Sequence, residues 1–446
     1  MSLTLVALGS AVELNFPLTT FTLPNGLQVA VVEDHANPLV SVQLWFRVGS
    51  RNESYGITGI SHVLEHMMFK GTRKMKSEEY SRTIQRWGGM DNAFTSEDQT
   101  AYFSEVPKAR LKDILNMEYD RVANAVFREF ESELNVVREE RRWRTENSPE
   151  GSLYELLRAT AYIAHPYRHP VVGWMSDLEH LTLEDVERYF HTYYVPNNLI
   201  LVISGDVTPE EVRPLVESTF GKLPRRPDPP AVRTREPRQE GLRRVELKRE
   251  GFASYVAVAF HIPEGKHPDL PALTLLAHVL TDGKSSRLYR ELVKEKTVAT
   301  DVQGWVEQQL DPGLFVLWVS VQQGHTPEEV ESLLFQTLNK LKTQPITERE
   351  LEKAKNRTMA NFVRRYQSVV SKGMLVGSWA ILDRPEAALE WPRKIQAVTL
   401  DDVQRVATTY LVKDQATVAI LRSVPPKDMN AFLEKMKQAS QKRFRR

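Results

Sequence analysis

The chain contains no cysteine. That excludes disulfide bridges and thiolate metal ligands, and it leaves the redox compartment open. No apolar run approaches the roughly 18 residues that a membrane span needs. Neither sign of charge dominates: 59 Lys and Arg face 58 Asp and Glu, a formal net charge of +1. So balanced a chain has no strong electrostatic pull toward nucleic acid or an anionic membrane. What is present is ordinary for a globular protein, with 41% hydrophobic and 26% charged residues. A length of 446 residues exceeds one ordinary core and predicts two or more domains.

Against this plain background one stretch stands out, His62-Val63-Leu64-Glu65-His66. On an α-helix, residues four apart share a face, so His62 and His66 can aim two imidazoles at one point. That is half of a tetrahedral zinc site. Glu65 lies on the same turn, within reach of a water at an open ligand position, and can accept its proton. The order H-x-x-E-H is the inverted zinc-protease motif. Ile57, Ile60, Val63, Leu64, Met67, Met68 and Phe69 make the segment apolar nearly all round, which predicts burial. A buried His-Glu-His cluster is costly without partners, and a metal supplies one.

A third ligand must come from elsewhere, and zinc accepts a carboxylate. In the run Phe127 to Glu140, residues Phe127, Phe130, Leu134 and Val137 mark a buried helical stripe. Glu140 sits at the edge of that stripe, and Glu133 lies two turns earlier on nearly the same face. The pair can serve as ligand and supporting carboxylate. Glu139 is the neighbouring alternative. A solvated charged face shared with Arg138, Arg141 and Arg142 is the competing reading.

The segment Gly59 to Thr72 resembles the signature of the pitrilysin–insulinase metallopeptidases, in their processing-peptidase-like branch. Leu23-Pro24-Asn25-Gly26-Leu27 is similar to that family's first hairpin, and Gly88 to Thr95 to its active-site edge strand. The resemblance runs over nearly the whole chain. It implies that Glu133 and Glu140 are the family's paired glutamates, with Glu140 the third zinc ligand beside His62 and His66. It implies a zinc cofactor and Glu65 as general base. It also implies two α+β halves facing each other around a chamber.

An internal duplication is visible independently. Thr182-Leu183-Glu184-Asp185-Val186 returns as Thr399-Leu400-Asp401-Asp402-Val403. To within one residue, the same spacing carries His62-Val63-Leu64-Glu65-His66 onto His278-Val279-Leu280-Thr281-Asp282. Constant spacing at separate places predicts two homologous halves. The second half lacks the base and the second ligand, so His278 reads as a packed relic. Strand-like runs at 27–32, 41–48, 100–106, 199–204, 255–260, 314–319 and 416–421 alternate with Thr-capped helices such as Pro209–Phe220 and Pro327–Leu341. The expected fold is α+β, two homologous halves, each a mixed or antiparallel sheet with helices on one face. The expected division is a zinc-binding domain at 1–222, a Pro/Arg-rich extended linker at 223–244, and a homologous domain at 245–446 lacking the motif.

Asp91 to Ser96 is short, polar and β-compatible. An open edge there can take a peptide as an added strand. The resemblance puts substrate on this strand, which makes Asn92, Ala93 and Thr95 the expected substrate-binding residues. Single-chain relatives carry an Arg and a Tyr in their second half. Here Val293 and Thr300 fall at those positions, and neither donates as Arg and Tyr do. Arg287, Tyr289 and Arg290 lie nearby in the wrong register and read as helix surface.

The expectation is therefore a zinc metalloendopeptidase subunit acting on peptide or polypeptide substrates. It is expected to pair with a homologous non-zinc subunit that supplies the missing pair, a homodimer being the variant. The alternative is a catalytically inactive structural or peptide-binding subunit. Leu3 to Ala11 reads as the remnant of a signal peptide's apolar region or as a simple mobile tail. The first reading leans toward the bacterial periplasm over the cytoplasm. The basic stretch Lys435 to Arg446 reads as a solvated helix end.

Overall fold

The computed structural model describes residues 16–426, 428 and 429. Leu3–Ala11 and Lys435–Arg446 lie outside the described residues. Among the described residues no helix is long and apolar enough to cross a membrane.

The first half builds a six-stranded sheet from β1 (Leu18–Thr22), β2 (Gln28–Glu33), β3 (Leu39–Phe46), β4 (Met90–Thr95), β5 (Thr100–Pro107) and β6 (Leu199–Gly205). Its order is β1-β2-β6-β3-β5-β4. The second half builds five strands, β7 (Arg243–Glu250), β8 (Tyr255–His261), β9 (Ala299–Val306), β10 (Leu314–Val321) and β11 (Ala416–Val424), in the order β7-β11-β8-β10-β9. Without β1 the two orders are the same. Each sheet has one parallel pair, β2 with β6 and β7 with β11; the other pairs are antiparallel.

The duplicated sequence thus folds as duplicated structure. Helices Leu183–Tyr193 and Leu400–Tyr410 each start with a capping box, Thr182 with Asp185 and Thr399 with Asp402. Each cap satisfies otherwise unpaired N–H groups at the helix start. Each helix then feeds the strand that pairs in parallel, β6 or β11. The Thr-Pro-Glu-Glu starts open helices Pro209–Ser218 and Pro327–Lys340 as expected. Strand β7, Arg-Arg-Val-Glu-Leu-Lys-Arg-Glu, carries no apolar run. It alternates half-buried and exposed residues at a sheet edge, and its pairing with β11 defines it.

Each sheet has its own helices on one face. In the first half, Val29, Val31, Val42 and Leu44 pack with Ile60, Val63, Leu64, Ile114 and Leu115. The opposite face takes a helix from the other half. Helix Val369–Leu382 lies on β3 and β6, against Trp45, Ile200 and Val202. Reciprocally, helix Pro149–Ala161 lies on β7, β8 and β11, with Leu153 and Leu157 against Ala257, Ala259 and Ala419. Gly377 permits the first contact, because a Cβ there would overlap the Trp45 ring.

Residues 223–242 form no helix or strand, and β7 begins at Arg243. The stretch is nevertheless pinned along its length. Glu236 accepts the backbone N–H groups of Ile163, Ala164 and His165, Arg235 pairs with Asp311, and Gln239 bonds the carbonyl of Ala416.

Candidate metal centre and active site

The motif forms helix Ile60–Met67, which starts at Gly59 in the left-handed region at φ 88°. A Cβ on Gly59 would stand 2.6 Å from the Val172 carbonyl oxygen, so glycine lets the helix start against that segment. Glu53 caps the helix from outside. Its carboxyl accepts the N–H of Gly59 at 2.7 Å and of Ser61 at 2.9 Å. Burial pushes Glu53 up to about 8, against the pull of these hydrogen bonds. The sequence offered no local sign of this cap, because the spacing fits no capping box.

Helix Phe130–Arg141 packs across the motif helix. It brings Glu140 to the two histidines. One ligand atom from each of His62, His66 and Glu140 lies within 4.8 Å of the others. His62 Nε2 is 3.8 Å from one Glu140 oxygen, and His66 Nε2 is 3.6 Å from the other. These gaps are too long for hydrogen bonds. They suit donors around a common ion, since tetrahedral zinc ligands at their usual bond lengths stand about 3.3 Å apart. The donor set, two imidazoles and a carboxylate, is one that zinc takes. Glu139 points away, 63% exposed and paired with Arg142. Val137 is buried, whereas Val136 and Trp143 are exposed, so Glu140 lies at the edge of the buried stripe.

Supporting groups surround the cluster. Glu133 binds His66 Nδ1 at 2.8 Å, which leaves Nε2 free to face Glu140. Lys70 holds the other Glu133 oxygen at 2.5 Å. Burial raises the Glu133 carboxyl, but the hydrogen bonds from His66 and Lys70 outweigh it and hold it below its ordinary value. Burial lowers His66, and the Glu133 hydrogen bond with the charges of Glu65 and Glu140 lifts it above the usual value. His62 lacks such a partner at Nδ1. Burial, with His66 and Arg144 nearby, pulls His62 down to about 3, so its ring is neutral, the form that ligates metal.

Glu65 faces the same space. Burial raises its carboxyl above the ordinary value, a direction suited to a base working near neutrality. The Thr95 hydroxyl donates to it at 2.6 Å. Thr95 ends β4, so Glu65 is tied to the sheet edge. Among the described residues that edge is free, because β4 pairs only with β5. Ser96 bonds Gln99 across the turn. The antiparallel alternation then turns the backbone groups of Asp91, Ala93 and Thr95 outward. Asn92 Oδ1 accepts the Ala93 N–H at 2.8 Å.

A cavity of about 720 Å³ joins these parts; His62, Glu65, His66, Asn92, Ala93, Thr95, Glu133 and Glu140 all line it. Arg144, also on its wall, binds Glu140 at 2.7 Å. The i, i+4 spacing of Arg144 from Glu140 is the one sequence signal of this contact. Among the described residues, every lining residue falls between His62 and Val172, so the described part of the second half contributes none. Arg287 is committed elsewhere, to Glu350 and to the carbonyls of Gln344 and Pro345. Val293 is half-buried and Thr300 exposed, and neither lines the cavity.

Known proteins resemble this chain over most of its length. Residues 28–173 match the family described as Insulinase (Peptidase family M16), and residues 180–358 match the Peptidase M16 inactive domain. The zinc protease PqqE of Helicobacter pylori is 34% identical over 94% of this chain and 97% of its own. A crystal structure of a protease from Helicobacter pylori superimposes with a TM-score of 0.88 at 33% identity, covering 92% of this chain and 100% of that one. A probable mitochondrial-processing peptidase subunit beta of Arabidopsis thaliana is 26% identical over 92% of this chain and 80% of its own. The chain belongs to peptidase family M16, the insulinase family, and within it is of the processing-peptidase-like kind.

Proposed function

We propose that this chain is a zinc metalloendopeptidase subunit that hydrolyses peptides or unfolded polypeptides paired as an added strand on β4. The observation that carries the reading is the convergence of His62, His66 and Glu140 on one cavity with Glu65 and the free edge of β4. Zinc, held by His62, His66 and Glu140, would supply Lewis acidity to a water and to the scissile carbonyl.

The remaining work falls to the chain itself. Glu65 accepts the water's proton and returns it to the leaving amine. Thr95 keeps the Glu65 carboxylate turned toward the strand that carries substrate. Glu133, held by Lys70, fixes the tautomer of His66. Asp91, Ala93 and Thr95 offer backbone groups to an extended chain, and Asn92 releases the Ala93 N–H when that chain pairs. Backbone pairing tolerates many side chains, which suits a peptidase of broad specificity.

Among the described residues, none from the second half lines the cavity to offer a second electrophile to the oxyanion. A homologous non-zinc partner subunit supplying an Arg and a Tyr completes the site, a homodimer being the variant. The competing reading is an inactive structural or peptide-binding subunit. Glu65→Gln separates them: it should retain zinc and lose cleavage of an unfolded polypeptide. If the native complex does not cleave, or Glu65→Gln cleaves as well as the parent, the catalytic reading fails.

A further inference from the structure

The constant spacing between the halves extends past the motif to the residues around the cluster. Lys70, Glu133 and Glu140 fall on Arg287, Glu350 and Arg357. The structure repeats their contacts. Lys70 binds Glu133 at 2.5 Å, and Arg287 binds Glu350 at 2.8 Å. Helix Glu348–Arg365 packs on helix Leu270–Thr281, as Phe130–Arg141 packs on the motif helix.

The three ligand positions have exchanged charge. His62, His66 and Glu140 are matched by His278, Asp282 and Arg357. In the first half two imidazoles sit on the motif helix and the carboxylate on the opposite helix, where Arg144 also pairs with it at 2.7 Å. In the second half the carboxylate has moved to the motif helix, and the opposite position carries its own cation. Arg357 Nε binds Asp282 Oδ2 at 2.7 Å, and His278 Nδ1 faces the same oxygen at 3.1 Å. The guanidinium is seated over Gly283, 2.8 Å from where a Cβ would be. His278, Asp282, Arg287, Glu350 and Arg357 all line a cavity of about 830 Å³.

We propose that the second half carries a latent divalent-cation site, closed by the Arg357 guanidinium, which a single substitution at that position opens. In the native chain Arg357 does electrostatically what an ion does in the first half. It joins the two helices through Asp282, so the second half needs no metal. With a carboxylate at position 357, an imidazole and two carboxylates would converge there, a donor set that zinc accepts.

The test is zinc titration of the full-length chain in a His66→Ala background, which makes it independent of whether the first cluster holds zinc. His66→Ala alone should bind no tight zinc. Adding Arg357→Glu should create one equivalent, and adding Asp282→Ala should remove it. A natively folded His66→Ala, Arg357→Glu chain that takes up no zinc overturns the proposal.

Hydrogen exchange on the native chain gives a second arm that needs no variant. A chelator should leave helices Leu270–Thr281 and Glu348–Arg365 as protected as before. Equal loss of protection in both halves, or two zinc equivalents on the native chain, would overturn the proposal as well.

Discussion

Replacing Glu133 by Gln tests whether the second glutamate is a support for His66. Glu133 touches His66 Nδ1 at 2.8 Å with one oxygen and Lys70 at 2.5 Å with the other. The amide keeps an acceptor for His66 but loses the charge, and it turns a donor toward Lys70. Lys70 has a fallback in Glu129 at 3.8 Å, so the helix should hold. What is lost is the charge-assisted bond that fixes the ring and raises its basicity. Removing such a partner weakens metal affinity roughly 10–100-fold, equivalent to about 1.4–2.7 kcal/mol. Competition with a zinc chelator measures this directly. A Kd within twofold of the parent would refute the idea that Glu133 supports the ligand. A melting curve unchanged in the presence of chelator would show that the loss belongs to metal binding and not to folding.

Three further outcomes follow from other parts of the structure. Thr95→Val removes the hydroxyl that holds Glu65 but keeps the shape, so kcat for a peptide substrate should fall roughly 10-fold or more, with zinc content and KM unchanged; unchanged kcat would free the base from this strand. Gly377→Ala forces a methyl into Trp45 where the two halves exchange helices, and urea unfolding should show a loss of about 1–3 kcal/mol; undiminished stability would mean the interleaved packing is loose. Hydrogen bonds from Arg287 hold Glu350 at about 2, below its ordinary 4.5. Its contribution is therefore present above pH 4.5 and lost as pH falls through 2, and solvent screening limits it to about 1–2 kcal/mol. Glu350→Gln should flatten the acid limb of stability against pH over that window, and an identical acid limb would argue against the pair.

Much of the fold was legible because its signals are local. The runs at 199–204 and 416–421 are strands β6 and β11, and the Thr-led helices before them carry the capping boxes their sequences spell out. Strand β7 was not legible, since its charged alternation gains strand character only beside β11. The prolines and arginines of 223–242 gave the absence of regular structure but not the anchors at Arg235, Glu236 and Gln239, whose partners are far away in sequence. In the site, the helical spacing of His62 and His66 was enough to place two rings together. Thr95 is expected to meet substrate through its backbone, and the bond from its hydroxyl to Glu65 is an additional contact that the sequence did not show.

By itself the sequence determined the motif helix, the position of Glu65 on it, and the duplication, because each is written in spacings shorter than a helix or repeated at one interval. Tertiary structure decided the rest. It brought Glu140, and not Glu139, beside His62 and His66 by packing helix Phe130–Arg141 on the motif helix. It gave each sheet a helix from the opposite half and seated Arg357 on Asp282. Each of these joins segments distant in the chain, and their meeting depends on how buried faces pack in three dimensions, which residue order alone does not encode.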